Sequence, residues 1–169
     1  TMSVGKTTLV NALKELKQFK DYKFATERSQ HLMSLGIPLN TDSTLKGQTV
    51  FLAERCGELM HDNIITDRTV FDVMAFTMNA KSIPHQDKES FETYANEFIR
   101  EYDYIFYISP HGIEIEDNGV RETDEHYRDL IDFTITTLIK RYGHKCNIVE
   151  KISGSTEERI QQILNITGL

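Results

Sequence analysis

The chain has 169 residues, 39% hydrophobic and 27% charged, enough for one domain with its own core. Its 19 Lys and Arg stand against 26 Asp and Glu, a formal charge of −7 that disfavours a nucleic-acid backbone as partner. With two cysteines far apart, no apolar run near the ~20 residues of a membrane helix and no signal pattern, the expected address is the cytoplasm.

The first eight residues, TMSVGKTT, carry the strongest pattern. They match the end of GxxxxGK[ST], whose first glycine and preceding buried strand are expected before Thr1. Backbone N–H groups of such a loop form an anion-binding nest, and the helix that follows adds its positive end. Ser3, Val4, Gly5, Lys6, Thr7 and Thr8 are therefore candidate ATP-binding residues. Lys6 is expected at the β- and γ-phosphates and the Thr7 hydroxyl on Mg²⁺, while Gly5 lets the backbone come close.

A helix predicted over 6–17 turns Leu9, Val10, Leu13 and Leu16 inward. A short strand at 22–25 and a helical piece near 28–35 follow, stopped by Gly36-Ile37-Pro38. Residues 44–61 read as a long helix with Leu45, Val50, Leu52, Leu59 and Met60 as packing residues. A strand at 63–66 leads to a helix at 70–79 with Phe71, Met74, Ala75 and Met78 on one face. Residues 87–102 read as a helix with Phe91, Tyr94, Phe98 and Ile99 inward. The segment 103–109, DYIFYIS, reads as a strand buried on both faces.

A polar stretch over 110–118 precedes a long helix at 123–142, a strand at 146–149 and a terminal helix at 155–166 capped by Ser155 or Thr156. Strands separated by helices imply a parallel sheet with helices on both faces and ligands at the carboxyl ends of the strands. The expectation is one α/β domain over 1–169, with the P-loop NTPase fold and five parallel strands, the first lying before Thr1.

Three further places carry candidate chemistry. Asp67, at the end of a strand in NIITDRTVFD, is suited to hold the water shell of Mg²⁺, with Thr7 as its fellow ligand. Arg68 beside it can meet the transferring phosphoryl or an acceptor phosphate; a surface pair capping the next helix is the plainer alternative. Glu27, at the end of the 22–25 strand, can take the proton of an acceptor hydroxyl or contact the acceptor. A carboxylate stabilising a helix start is the rival there. The six histidines form no HxH or HExxH pattern, so no zinc site is expected, and both cysteines read as buried fillers.

GKTT, a strand ending in Glu27-Arg28 and the TDR of Thr66–Arg68 together resemble the nucleoside and nucleotide kinases. The likeness extends to the ribosylnicotinamide kinase domain of the bacterial NAD regulator, whose relatives are often classed as AAA-type ATPases and occur in phages. The resemblance implies Glu27 as general base and Asp67-Arg68 as the acidic–Arg pair after the third strand. It implies Gln48 and Phe51 as a pair reading a nucleobase, against an exposed Gln and a core Phe. It makes residues 111–122 a lid, with Arg121 closing over ATP to stabilise the transferred charge and Arg128 as a second ATP-binding candidate. Glu114 and Glu116 within that stretch read as a solvated face.

The expected activity is transfer of the ATP γ-phosphoryl to a nucleoside-like acceptor, with ATP and Mg²⁺ as cofactors. Lys6, Glu27, Asp67, Arg68 and Arg121 are its catalytic candidates, and Glu27, Arg28, Gln48, Phe51 and Arg68 would bind the acceptor. Three alternatives remain. A thymidylate-type nucleotide kinase would hold an acceptor monophosphate with Arg28 or Arg68. The others are a kinase of a modified base in DNA and a non-catalytic ATP-binding regulatory module.

Overall fold

The computed structural model describes residues 4–26, 29–111 and 125–169. Helix α1 (Lys6–Lys14) leads to strand β1 (Lys23–Ala25), then come α2 (Ser29–Ser34), α3 (Leu45–Glu58), β2 (Ile64–Thr66), α4 (Val70–Asn79) and α5 (His85–Ala95). Strand β3 (Tyr104–Ile108), α6 (Glu125–Tyr142), β4 (Ile148–Ile152) and α7 (Thr156–Thr167) complete the order. The expected βα alternation is present.

The strands form two parallel pairs, β1 with β2 and β3 with β4. Phe24 lies opposite Ile65 in one, and Phe106 opposite Glu150 in the other. Among the described residues there is no fifth strand, so the pairs are joined by a shared core rather than a continuous hydrogen-bonded ladder. That core sets Val4, Leu9 and Leu13 from the chain start against Ile108, Ile152 and Ile163. Phe24, Ile65 and Phe106, one or more from each pair, pack onto it.

A second core is built around α4. Its residues Val70 to Ala75 and Thr77 are all buried, because α3, α5 and α6 pack around it. An all-round apolar helix is stable only in such a place. Thr69 and Asp72 form a capping box at its start, satisfying N–H groups that the helix leaves open. Asn79 Nδ2 donates to Thr134 Oγ1 at 3.0 Å, fixing the far end of α4 against α6.

Several boundaries differ from the sequence expectation. Helix α1 stops at Lys14, and a 3₁₀ turn at Lys17–Phe19 puts Phe19 into the core. The helix expected to reach Tyr102 changes to 3₁₀ form at Asn96–Glu101. The last strand begins two residues later than expected, because Gly143–Lys145 is a 3₁₀ turn and pairing starts where Ile148 meets Tyr104. Met60 is 83% exposed, since α3 ends at Glu58 and leaves it in the turn beyond. Leu45 and Tyr94 are exposed rather than packed inward. β3 is not buried throughout: Ile105 and Ile108 are, but Tyr104 is exposed and stacks on Phe106. Cys146 is buried as expected, whereas Cys56 is only half-buried, and both are free thiols.

Among the described residues no helix is long and apolar enough to cross a membrane. Ile131 of α6 and Met74 of α4 are fully buried in the same cluster. Ile131→Ala should destabilise the fold by about 2–5 kcal/mol, the usual cost of a large-to-small core change. Denaturant unfolding would measure it as a lower midpoint with little change in slope.

Candidate functional site

Gly5 opens α1 in the left-handed region, at φ 74° and ψ 22°, where a residue without a Cβ rests easily. Gly5 offers no side-chain cap at this helix start, an arrangement that suits an anion there. No acidic residue occupies the first turn. The Val4 side chain points into the core at 1% exposure, while Gly5, Thr7 and Thr8 are exposed and Lys6 is half-buried. The loop therefore anchors through Val4 and presents its other residues outward.

Asp67 directly follows β2, and its N–H continues the ladder by donating to the Ala25 carbonyl at 3.0 Å. Its carboxylate is 5% exposed and accepts from the Thr7 hydroxyl, with Thr7 Oγ1 to Asp67 Oδ2 at 2.5 Å. The two residues expected to share a metal, 60 positions apart in sequence, are thus in contact. They offer a hydroxyl and a carboxylate, the hard oxygen donors that suit Mg²⁺, an ion that keeps several of its waters.

Arg68 runs along α4 instead of standing free. Its Nη1 donates to Asp72 Oδ1 at 3.2 Å, and its guanidinium lies 5.5 Å from the centre of the Phe76 ring. Asp72 Oδ2 also accepts from the Thr69 N–H at 3.1 Å. Burial works against the Asp72 charge, yet positive neighbours, Arg68 and then Lys6 among them, and the Thr69 N–H hold its carboxyl below the usual range. Asp72 was not among the candidate site residues, although its place three after Thr69 matches the capping-box spacing.

Gln48 is 3% exposed on α3, against the exposed position that a plain surface residue would take. Its side-chain amide makes no hydrogen bond to another described residue. Phe51, one turn on, is half-buried and packs on the α4 core. Arg128 is buried in the first turns of α6, one turn before Asp132. Asp132 accepts from the Tyr107 hydroxyl at 2.8 and 3.0 Å. Burial and that carboxylate push the Tyr107 phenol up to about 12, so it stays a donor and ties α6 to β3.

Ser3, Glu27, Arg28, Arg121 and the lid expected over 111–122 (apart from His111), with Glu114 and Glu116, lie outside the described residues. All six histidines are exposed, and no group of three His, Cys, Asp or Glu suited to a metal occurs among the described residues.

A phosphate loop at a helix start, an acidic strand end beside it and parallel strands between helices define a P-loop protein. A family model of AAA domains matches residues 1–159, and the chain belongs to that family. The fold is similar to that of a deoxyadenosine kinase from M. mycoides in two solved structures. The one with products dCMP and a flexible dCDP has a TM-score of 0.70 at 16% identity, covering 99% of this chain and 95% of the other. The one with bound dCTP has a TM-score of 0.67 at 17% identity, with the same coverage. No curated protein matches the sequence.

The depressed acidity of Asp72 has a testable consequence. A carboxyl whose folded-state value lies below its ordinary 3.8 adds stability above that value, and the addition is lost as pH falls below it. Asp72→Asn should therefore lower stability near neutrality and flatten its fall below about pH 4 by up to about one proton of slope. Chemical unfolding at a series of pH values reads this directly.

Proposed function

We propose that this protein is an ATP-dependent kinase that transfers the γ-phosphoryl group to a nucleoside-like acceptor. The observation that carries the reading is the 2.5 Å contact of Thr7 with Asp67 at the uncapped start of α1. Two hard oxygen donors beside a helix start without a side-chain cap support a Mg²⁺ and phosphate site of the kind phosphoryl transfer uses. The deoxyadenosine kinase likeness supports a nucleoside as the acceptor class, and the AAA-domain match supports a nucleotide as donor. The ribosylnicotinamide side of the resemblance rests on sequence motifs alone.

In this reading the loop amides of Ser3–Thr8 and the Lys6 ammonium bind the polyphosphate. Thr7 and Asp67 would hold Mg²⁺, which when bound neutralises charge on the phosphates. Arg68, steadied by Asp72 and Phe76, supplies positive charge at the end of β2. By the same resemblance Gln48 reads a base edge, with Phe51 one turn on. By sequence, Glu27 takes the acceptor's proton, Arg28 contacts the acceptor, and Arg121 and Arg128 meet the nucleotide's phosphates. Positioning and electrostatics supply the rate. The cytoplasm, with its ATP, is the fitting location.

The test is a radiolabelled-ATP screen across deoxynucleosides, ribonucleosides including nicotinamide riboside, nucleoside monophosphates and DNA with modified bases. Label is expected in a nucleoside and absent from Lys6→Ala. No transfer to any acceptor, or full activity in folded Lys6→Ala, would reject the proposal. Label appearing only in monophosphates would instead assign the nucleotide-kinase reading.

Glu27→Gln is a separate prediction. With a hydroxyl acceptor its rate should fall by ~10²–10⁴, the usual scale of general-base loss, while ATP affinity holds. Single-turnover kinetics beside equilibrium ATP binding separates the two effects.

A further inference from the structure

Arg159, on the first turns of α7, is 9% exposed. Its Nη1 donates to the Val4 carbonyl at 2.7 Å, a bond that spans 155 positions of sequence. It makes no ion pair among the described residues, and its Nε is buried without a hydrogen-bond partner. A buried charge is costly unless something compensates it. Here the charge sits directly behind the candidate phosphate loop: a Cβ on Gly5 would lie 3.4 Å from the same Nη1.

Helix α7 is held firmly enough to aim this group. Ser155 and Glu158 form a capping box at its start, with Ser155 N donating to Glu158 Oε2 at 2.7 Å. Gly154, at φ 94°, leaves the space that the Glu158 carboxylate occupies, and a Cβ there would collide with it. Ile163 packs in one cluster with Val4, Leu9 and Leu13, so α7 and the loop share a core.

We infer that Arg159 is a positioning residue for the phosphate loop, orienting its backbone and backing it with positive charge. A peptide unit is planar and trans, so its C=O and N–H point in opposite directions. Drawing the Val4 carbonyl toward α7 turns the Gly5 N–H away from α7, to the side where an anion is received. The uncompensated guanidinium then adds its field to that of Lys6 and the α1 terminus. An incoming polyphosphate supplies the negative charge that the buried cation lacks.

The inference rests on the phosphate-binding reading of the loop, and one set of measurements separates the two. ATP binding with Mg²⁺ is measured by calorimetry on the full chain, with steady-state KM values for ATP and for the acceptor found in the screen. Arg159→Met should weaken ATP binding by roughly tenfold or more, the scale of one charge-assisted hydrogen bond. KM for ATP should rise in parallel while KM for the acceptor stays within about twofold. Arg159→Lys, which keeps charge and a donor, should regain part of the loss. Should the Met variant not fold, Arg159→Gln, which keeps an N–H donor without the charge, carries the test with a smaller loss. A folded Met or Gln variant with a lowered melting temperature but wild-type ATP affinity overturns the inference and leaves Arg159 a structural pin. Failure of the wild type to bind ATP instead removes the phosphate-binding reading itself.

Discussion

A short loop whose N–H groups must stay unpaired needs other means of holding its shape. Here two hydrogen bonds of long sequence separation do so, one from each side. Thr7 donates to Asp67 at the end of β2, and Val4 accepts from Arg159 on α7. Neither uses the loop's own N–H groups. The β2 end and the α7 start can stand at fixed places beside the loop only because one core joins Val4, Leu9 and Leu13 to Ile108, Ile152 and Ile163. The fold can be understood as the frame for those two contacts.

The electrostatics follow from the same arrangement. A protein of net charge −7 can attract an anion only where positive groups are concentrated. In the proposed reading Lys6, the positive end of α1, Arg68 and Arg159 supply that concentration. The acidic groups nearby are already engaged: Asp67 with Thr7, and Asp72 with Arg68 and the Thr69 N–H. Asp72 thereby does two jobs, closing the capping box of α4 and setting the direction of the Arg68 side chain.

Much of the frame was legible locally. GKTT needs only a strand, a loop and a helix start to be meaningful, and all three are short-range features. The α4 helix was readable in its bounds and in the burial of Phe71, Met74 and Ala75, since its apolar spacing lies within one segment, although its Thr69–Asp72 cap went unread. Asp67 was found because an acidic residue ending an apolar strand is a visible break in pattern. Failures came where packing, not local pattern, decides the outcome. Met60 and Tyr94 are apolar or aromatic at helical spacing, yet the chain's turn and the helix's rotation leave them in solvent. The start of β4 depended on its partner, since a strand begins where its neighbour offers hydrogen bonds.

The sequence by itself determined the βα order, the phosphate loop and the chemical character of Thr7 and Asp67, because each depends on residues close together in the chain. Tertiary structure alone decided which distant groups meet them. Glu157-Glu158-Arg159 reads as the charged first turn of a surface helix, and nothing within it marks Arg159 as buried. Gln48 is equally unremarkable in sequence, and becomes notable when packing leaves it 3% exposed. A side chain's burial and partners are set by what packs above it, and that comes from elsewhere in the chain.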